Sequence, residues 1–121
     1  MAKDLKITVL LDFYGEMLTE KQRALITYYY NDDLSLAEIA EGEGITRQGV
    51  RDAIKRAEEL LFAMEDKLHF VRRSLEAREV MQKIRDASEE ISEYNLRYGS
   101  ISEISERSRM ICDLAANFSF V

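Results

Sequence analysis

Apolar positions recur at helical spacing along nearly the whole chain. In residues 4–18 they are Ile7, Leu10, Leu11, Tyr14 and Leu18, and Gly15 weakens the end of that helix. Thr19, with Gln22 three places on, reads as a capping box. The helix it opens runs to about Tyr30, with Leu25, Ile26 and Tyr29 on its core side, until Asn31, Asp32 and Asp33 stop it. Ser35 with Glu38 is a second box, opening a short helix through Ala40. Gly42, Glu43 and Gly44 end that helix, because glycine enters a left-handed turn without a steric penalty, and Thr46 caps the next one.

From Val50 the apolar residues fall at Ile54, Ala57, Leu61, Met64, Leu68, Val71 and Leu75, in alternating steps of four and three. That is a heptad seam. It fails at Arg78 and Gln82 and restarts at Val80, Ile84, Ala87, Ile91, Tyr94 and Tyr98. The step of five between Leu75 and Val80 would rotate the stripe of one straight helix, so a break or bend is expected near residues 73–79. Tyr98, Gly99 and Ser100 form a turn, and Ser100 with Glu103 reads as a third capping box. Ile104, Ile111, Ala115 and Phe118 mark a last amphipathic helix.

Composition agrees with long helices: the 121 residues contain no proline and only five glycines. A single cysteine, Cys112, leaves no internal disulfide framework and suits a reducing, cytoplasmic setting. One histidine, His69, beside that cysteine cannot build a Cys/His metal cluster, and no metal or cofactor is expected. The apolar run from Ile7 to Leu11 is too short to span a membrane, so no membrane insertion is expected. No glycine loop for phosphate and no nucleophile–histidine set can be assembled, so neither an enzymatic activity nor a small-molecule substrate is expected.

The segment from Ser35 to Leu61 has helix-turn-helix spacing. Ala40 is small where two helices would cross, Gly44 sits in the turn, Ile45 plugs the gap beneath it, and Val50 and Ile54 bury the inner face of the second helix. Glu43 stands where an apolar residue is common. The second helix would offer Thr46, Arg47, Gln48, Arg51, Asp52, Lys55 and Arg56 to DNA, arginine suiting guanine and glutamine adenine. Charge supports a local patch. The chain is net −6, yet residues 47–56 carry four basic side chains against one acidic, while residues 1–46 carry four against nine. As a charge run alone this would be a solvated helix face. With the turn spacing it becomes a candidate recognition helix.

Leu34 to Ala40 followed by Gly44 to Val50 resembles region four of bacterial sigma factors. The longer string of residues 10–58 resembles the YlxM family of bacterial helix-turn-helix proteins. Its most specific parts are Phe13 and Tyr14, Leu18 and Thr19, Tyr28 to Asp33, Glu38 to Ala40, Arg47 and Gln48, and Asp52 to Arg56. The likeness spans roughly residues 5–86; residues 87–121 match nothing familiar. The resemblance implies an all-helical fold and a regulatory or accessory role in the signal recognition particle pathway, with particle components as partners. No active site comes with it, and only Arg47, Gln48, Arg51 and Lys55 carry over, as candidate contacts. Gly49 departs from the pattern, where a better helix former is usual, and would loosen the first turn.

Other features have plainer readings. Three adjacent tyrosines cover most of a helix arc, so Tyr28 to Tyr30 read as core packing with one exposed edge rather than a base-stacking platform. Asp32 and Asp33 read as a helix-ending loop rather than a metal site. His69 lies one residue off the seam and reads as a surface or interface histidine, and Cys112 as a small buried apolar side chain.

The expected architecture is therefore all-α: a sigma factor region four-like, winged-helix-like domain over residues 1–61, with its motif at 35–57, and a long helical extension over residues 62–121. Leu61, Met64, Leu68, Val71 and Leu75 project beyond the motif and need covering, either by the C-terminal helices of the same chain or by a second copy, and a homodimer is the expected outcome. The expected function is that of a helix-turn-helix regulator contacting DNA, the alternative being an acidic accessory protein that binds protein or RNA components of the particle.

Overall fold

In a computed structural model that describes residues 1–119, every regular element is helical and no strand occurs among the described residues, so the helix-turn-helix carries no β wing. The elements are α1 (Lys6–Tyr14), a 3-10 turn (Gly15–Met17), α2 (Glu20–Tyr30), α3 (Leu36–Glu43), α4 (Arg47–Leu68), α5 (Phe70–Tyr98) and α6 (Ser102–Asn117). They fall into two compact units, Met1–Val71 and a second beginning at Arg72. The expected boundary at residue 61 lies inside α4; of the extension, Phe120 and Val121 lie outside the described residues.

In the first unit α1, α2 and α3 all pack on α4. Val50, Ile54, Ala57 and Leu61 form one row along α4, and each is wholly buried. Around them sit Ile7, Leu10, Leu11 and Tyr14 of α1, Leu25, Ile26 and Tyr29 of α2, and Ile39 and Ala40 of α3. Burying each large apolar side chain contributes about 1.5–3 kcal/mol. The first two capping boxes form as expected: Thr19 and Gln22 exchange hydrogen bonds, as do Ser35 and Glu38. All three tyrosines of α2 pack on the core, Tyr29 buried and Tyr28 and Tyr30 half-buried. The Tyr29 hydroxyl donates to the Met1 carbonyl, the Tyr30 hydroxyl to Glu58. Asp33, in a left-handed turn conformation (φ 58°), pairs with Lys3 at 2.6 Å, and that ammonium holds its carboxyl below the usual range.

The helix break falls at His69, not within residues 73–79. His69 takes a left-handed conformation (φ 56°) between α4 and α5. The cause is a polar node in the first unit. Tyr14 Oη donates to Glu65 Oε1 (2.5 Å) and accepts from the Phe70 N–H (3.1 Å), while Glu65 Oε1 also accepts from the Val71 N–H (3.0 Å). The first free N–H groups of α5 are thus satisfied by the core, which holds the chain in its turn. The Phe70 ring stacks on Tyr14 at 5.9 Å. Val71 packs back on the same core with Met64 and Leu68, so the heptad spacing continues through the break. Leu75 lies in the second unit and is 53% exposed.

The second unit is an antiparallel hairpin of α5 and α6 with a polar seam. Ser88 and Ser108 each donate through the hydroxyl to the other's carbonyl, and Ser92 donates to Ser108 Oγ at 2.8 Å. The third capping box does not form. Ser100 is left-handed (φ 52°) and Ile101 takes the cap position. Asn95 does the capping work instead: its Oδ1 accepts from the Ile101 N–H at 3.0 Å, and its Nδ2 donates to the Ile101 carbonyl and to Ser105 Oγ. Cys112 is half-buried.

Removing the Tyr14 hydroxyl leaves the Phe70 N–H unmet, so Tyr14→Phe should lower unfolding stability by about 1–3 kcal/mol, read from urea midpoints. Tyr30 gives a pH test. Burial, opposed by the Asp4 N–H and reinforced by Glu58, pushes its phenol up to about 12. The unfolded value is about 10, so this contribution is whole below pH ~10 and lost as pH rises towards 12. Tyr30→Phe should flatten the fall in urea stability across that window; an unchanged slope would count against the assignment.

Candidate nucleic-acid interface

The turn between α3 and α4 is built locally. Gly44 adopts the left-handed conformation (φ 68°) and its N–H bonds the Ala40 carbonyl. The Ile45 N–H bonds the same carbonyl at 3.1 Å, and the Ile45 side chain packs on the core. Glu43, before the turn, stays exposed. Thr46 caps α4, accepting from the Gly49 N–H at 2.9 Å. A Cβ at residue 49 would stand 3.1 Å from Thr46 Oγ1, so glycine leaves the cap uncrowded and the first turn is closed rather than loosened.

Because the row from Val50 to Leu61 faces inward, the helical period turns Gln48, Asp52, Lys55 and Arg56 outward, flanked by Arg47 and Arg51. Thr46, Arg47, Gln48, Lys55 and Arg56 are exposed and Arg51 is half-buried. Among the described residues, none of the four cations of this segment forms an ion pair. Gln48 is held: its Nε2 donates to Asp52 Oδ1 at 2.9 Å. That bond sets the amide's orientation and leaves its carbonyl oxygen outward-free to accept.

A residue that sequence spacing missed joins this surface. A groove between the start of α2 and α4 is lined by Thr19, Lys21, Gln22, Leu25, Ala53 and Arg56, which adds Lys21 to the basic side of the unit. Lys21 lies in an acidic stretch with no periodic relation to α4, so only the fold brings it there. Of the seam residues, Leu61, Met64, Leu68 and Val71 pack in the first unit's own core, and Leu75 belongs to the second unit. Among the described residues no group of three or more His, Cys, Asp or Glu could hold a metal, and no helix is long and apolar enough to cross a membrane.

A family profile described as "Putative helix-turn-helix protein, YlxM / p13 like" (UPF0122) matches residues 1–101, further than the 5–86 expected from motifs alone. A UPF0122 protein of Clostridium kluyveri is 54% identical over 71 residues, covering 59% of this chain and 64% of that protein. In that alignment the chain spans less than two thirds of its relative. A UPF0122 protein of Thermoanaerobacter pseudethanolicus is 43% identical over 108 residues, covering 89% of this chain and 92% of the relative. One of Bacillus thuringiensis is 37% identical over 107 residues, covering 88% and 97%.

The cap is the testable element of this geometry. Thr46→Ala should cost about 1 kcal/mol of stability, measured by urea unfolding.

Proposed function

The chain belongs to the UPF0122 family of helix-turn-helix proteins, and from that premise we propose that it is a non-enzymatic regulatory protein that contacts double-stranded DNA with the N-terminal half of α4. The observation that carries the reading is the set of unpaired cations on the outward side of a capped helix directly after a glycine turn. Arg47 and Arg51 would grip guanine edges, and Gln48 adenine once its bond to Asp52 is exchanged. Lys55, Arg56 and the Thr46 hydroxyl would hold phosphates, which position without specifying sequence. A homodimer would carry two such helices and suit a palindromic site in cytoplasmic DNA.

The acidic remainder of the chain favours a second reading. With nine acidic against four basic side chains before residue 47, the protein would attract a basic protein partner more readily than a phosphate backbone. That partner would be a component of the signal recognition particle, as the family resemblance implies.

A gel shift on pooled duplex DNA and on the particle's RNA at two salt concentrations, with a pull-down of the particle's components from lysate, separates the two. Under the DNA reading Arg51→Ala and Lys55→Ala each weaken duplex binding, and loss of a phosphate contact reduces the salt slope by about one. Wild-type binding in both variants would sink the assignment. Retention of the particle's protein or RNA with no duplex binding would favour the second reading.

A further inference from the structure

Among the described residues of the second unit no large apolar side chain is buried. Between α5 and α6 the buried side chains are Ser88, Asn95, Ser108 and Ala115. The large apolar residues of the hairpin face outward instead. At about 100° per residue, Val80, Ile84, Ala87, Ile91, Tyr94 and Tyr98 form one stripe beside the Ser88–Asn95 row of α5. In α6, Ile104 and Ile111, with Phe118 directly after its end, form a stripe beside Ser108. The helices are antiparallel, so both stripes lie on one side of the hairpin, and Ile91, Tyr94, Tyr98 and Ile104 line a single open apolar groove.

We propose that this face is where a second copy of the chain docks, with α5 running antiparallel to α5 of its partner. This deepens the two-subunit part of the preceding reading and holds whether or not DNA is bound. Two observations select a second copy as the occupant. The first is charge. Residues 72–85 carry five basic and two acidic side chains, and residues 86–98 carry one basic and four acidic. An antiparallel pair of identical α5 helices sets each basic half against an acidic half, whereas a parallel pair would set like against like. The apolar stripe has the same symmetry: Val80 falls opposite Ile91 and Ile84 opposite Ala87, so one two-fold axis serves both patterns. The second is area. The large apolar residues of the two stripes are 38–76% exposed. Together they offer roughly 800 Å² per copy, about what a standard-size interface buries on each partner. The product is a four-helix bundle with the apolar residues at its centre and the polar seams to either side.

Sedimentation equilibrium of the full-length protein tests this. The expected wild-type species has twice the 14.1 kDa chain mass at micromolar concentration. Ile91→Glu should weaken self-association about 30-fold or more with helix content by circular dichroism unchanged, because the residue is already exposed. Lys83 and Glu90 flank the stripe on its outer side, so Lys83→Glu alone or Glu90→Lys alone should weaken the dimer and the double variant should restore it. A monomeric wild type overturns the proposal, as does a dimer indifferent to Ile91→Glu or a double variant no tighter than either single. A monomer that binds DNA overturns this inference alone; a dimer that ignores DNA overturns only the DNA reading.

Discussion

One row of side chains on α4 holds the first unit together. Val50, Ile54, Ala57 and Leu61 are buried, and α4 packs on α1, α2 and α3 at once. A helix clamped along one face cannot choose what its other face presents. Burying the apolar row therefore aims Gln48, Lys55 and Arg56 outward before any ligand arrives, and the core and the proposed contact surface are two sides of one constraint. The cap at Thr46 and the glycine turn at Gly44 set where that helix begins, so the cations stand within its first turns.

What was legible in the sequence was what is decided within a few residues. The boxes at Thr19 and Ser35 formed because both partners of each exchange lie within one helical turn. Gly44 was readable for the same reason. The break at His69 was not, because its cause is Tyr14, far away in sequence, whose hydroxyl supplies the partner that the Phe70 N–H would otherwise lack. Apolar spacing could not reveal it either, since Val71 returns to the same core after the turn. At Ser100 a locally plausible cap lost to Asn95, whose side chain reaches the Ile101 N–H and carbonyl together. At the candidate site, Arg47, Gln48, Arg51 and Lys55 were visible as a spaced set, while Lys21 came to the surface of the same unit only through the packing of α2 on α4.

The two units solve the problem of joining helices by opposite chemistry. The first excludes water with interdigitated apolar side chains and closes its polar groups at the edges, through Tyr14, Tyr29 and Tyr30. The second joins its helices through hydroxyl and amide groups and keeps its greasy side chains outside. An apolar seam tolerates small slips, because one methyl group replaces another with little penalty. A seam of paired hydrogen bonds does not.

Sliding α6 along α5 by one turn, about 5.4 Å, would separate Ser88 from Ser108 and Asn95 from Ser105 in the same movement. A slide along the helix axis breaks these bonds together. The hairpin is therefore indexed like a key in its wards, with one alignment and no graded neighbours.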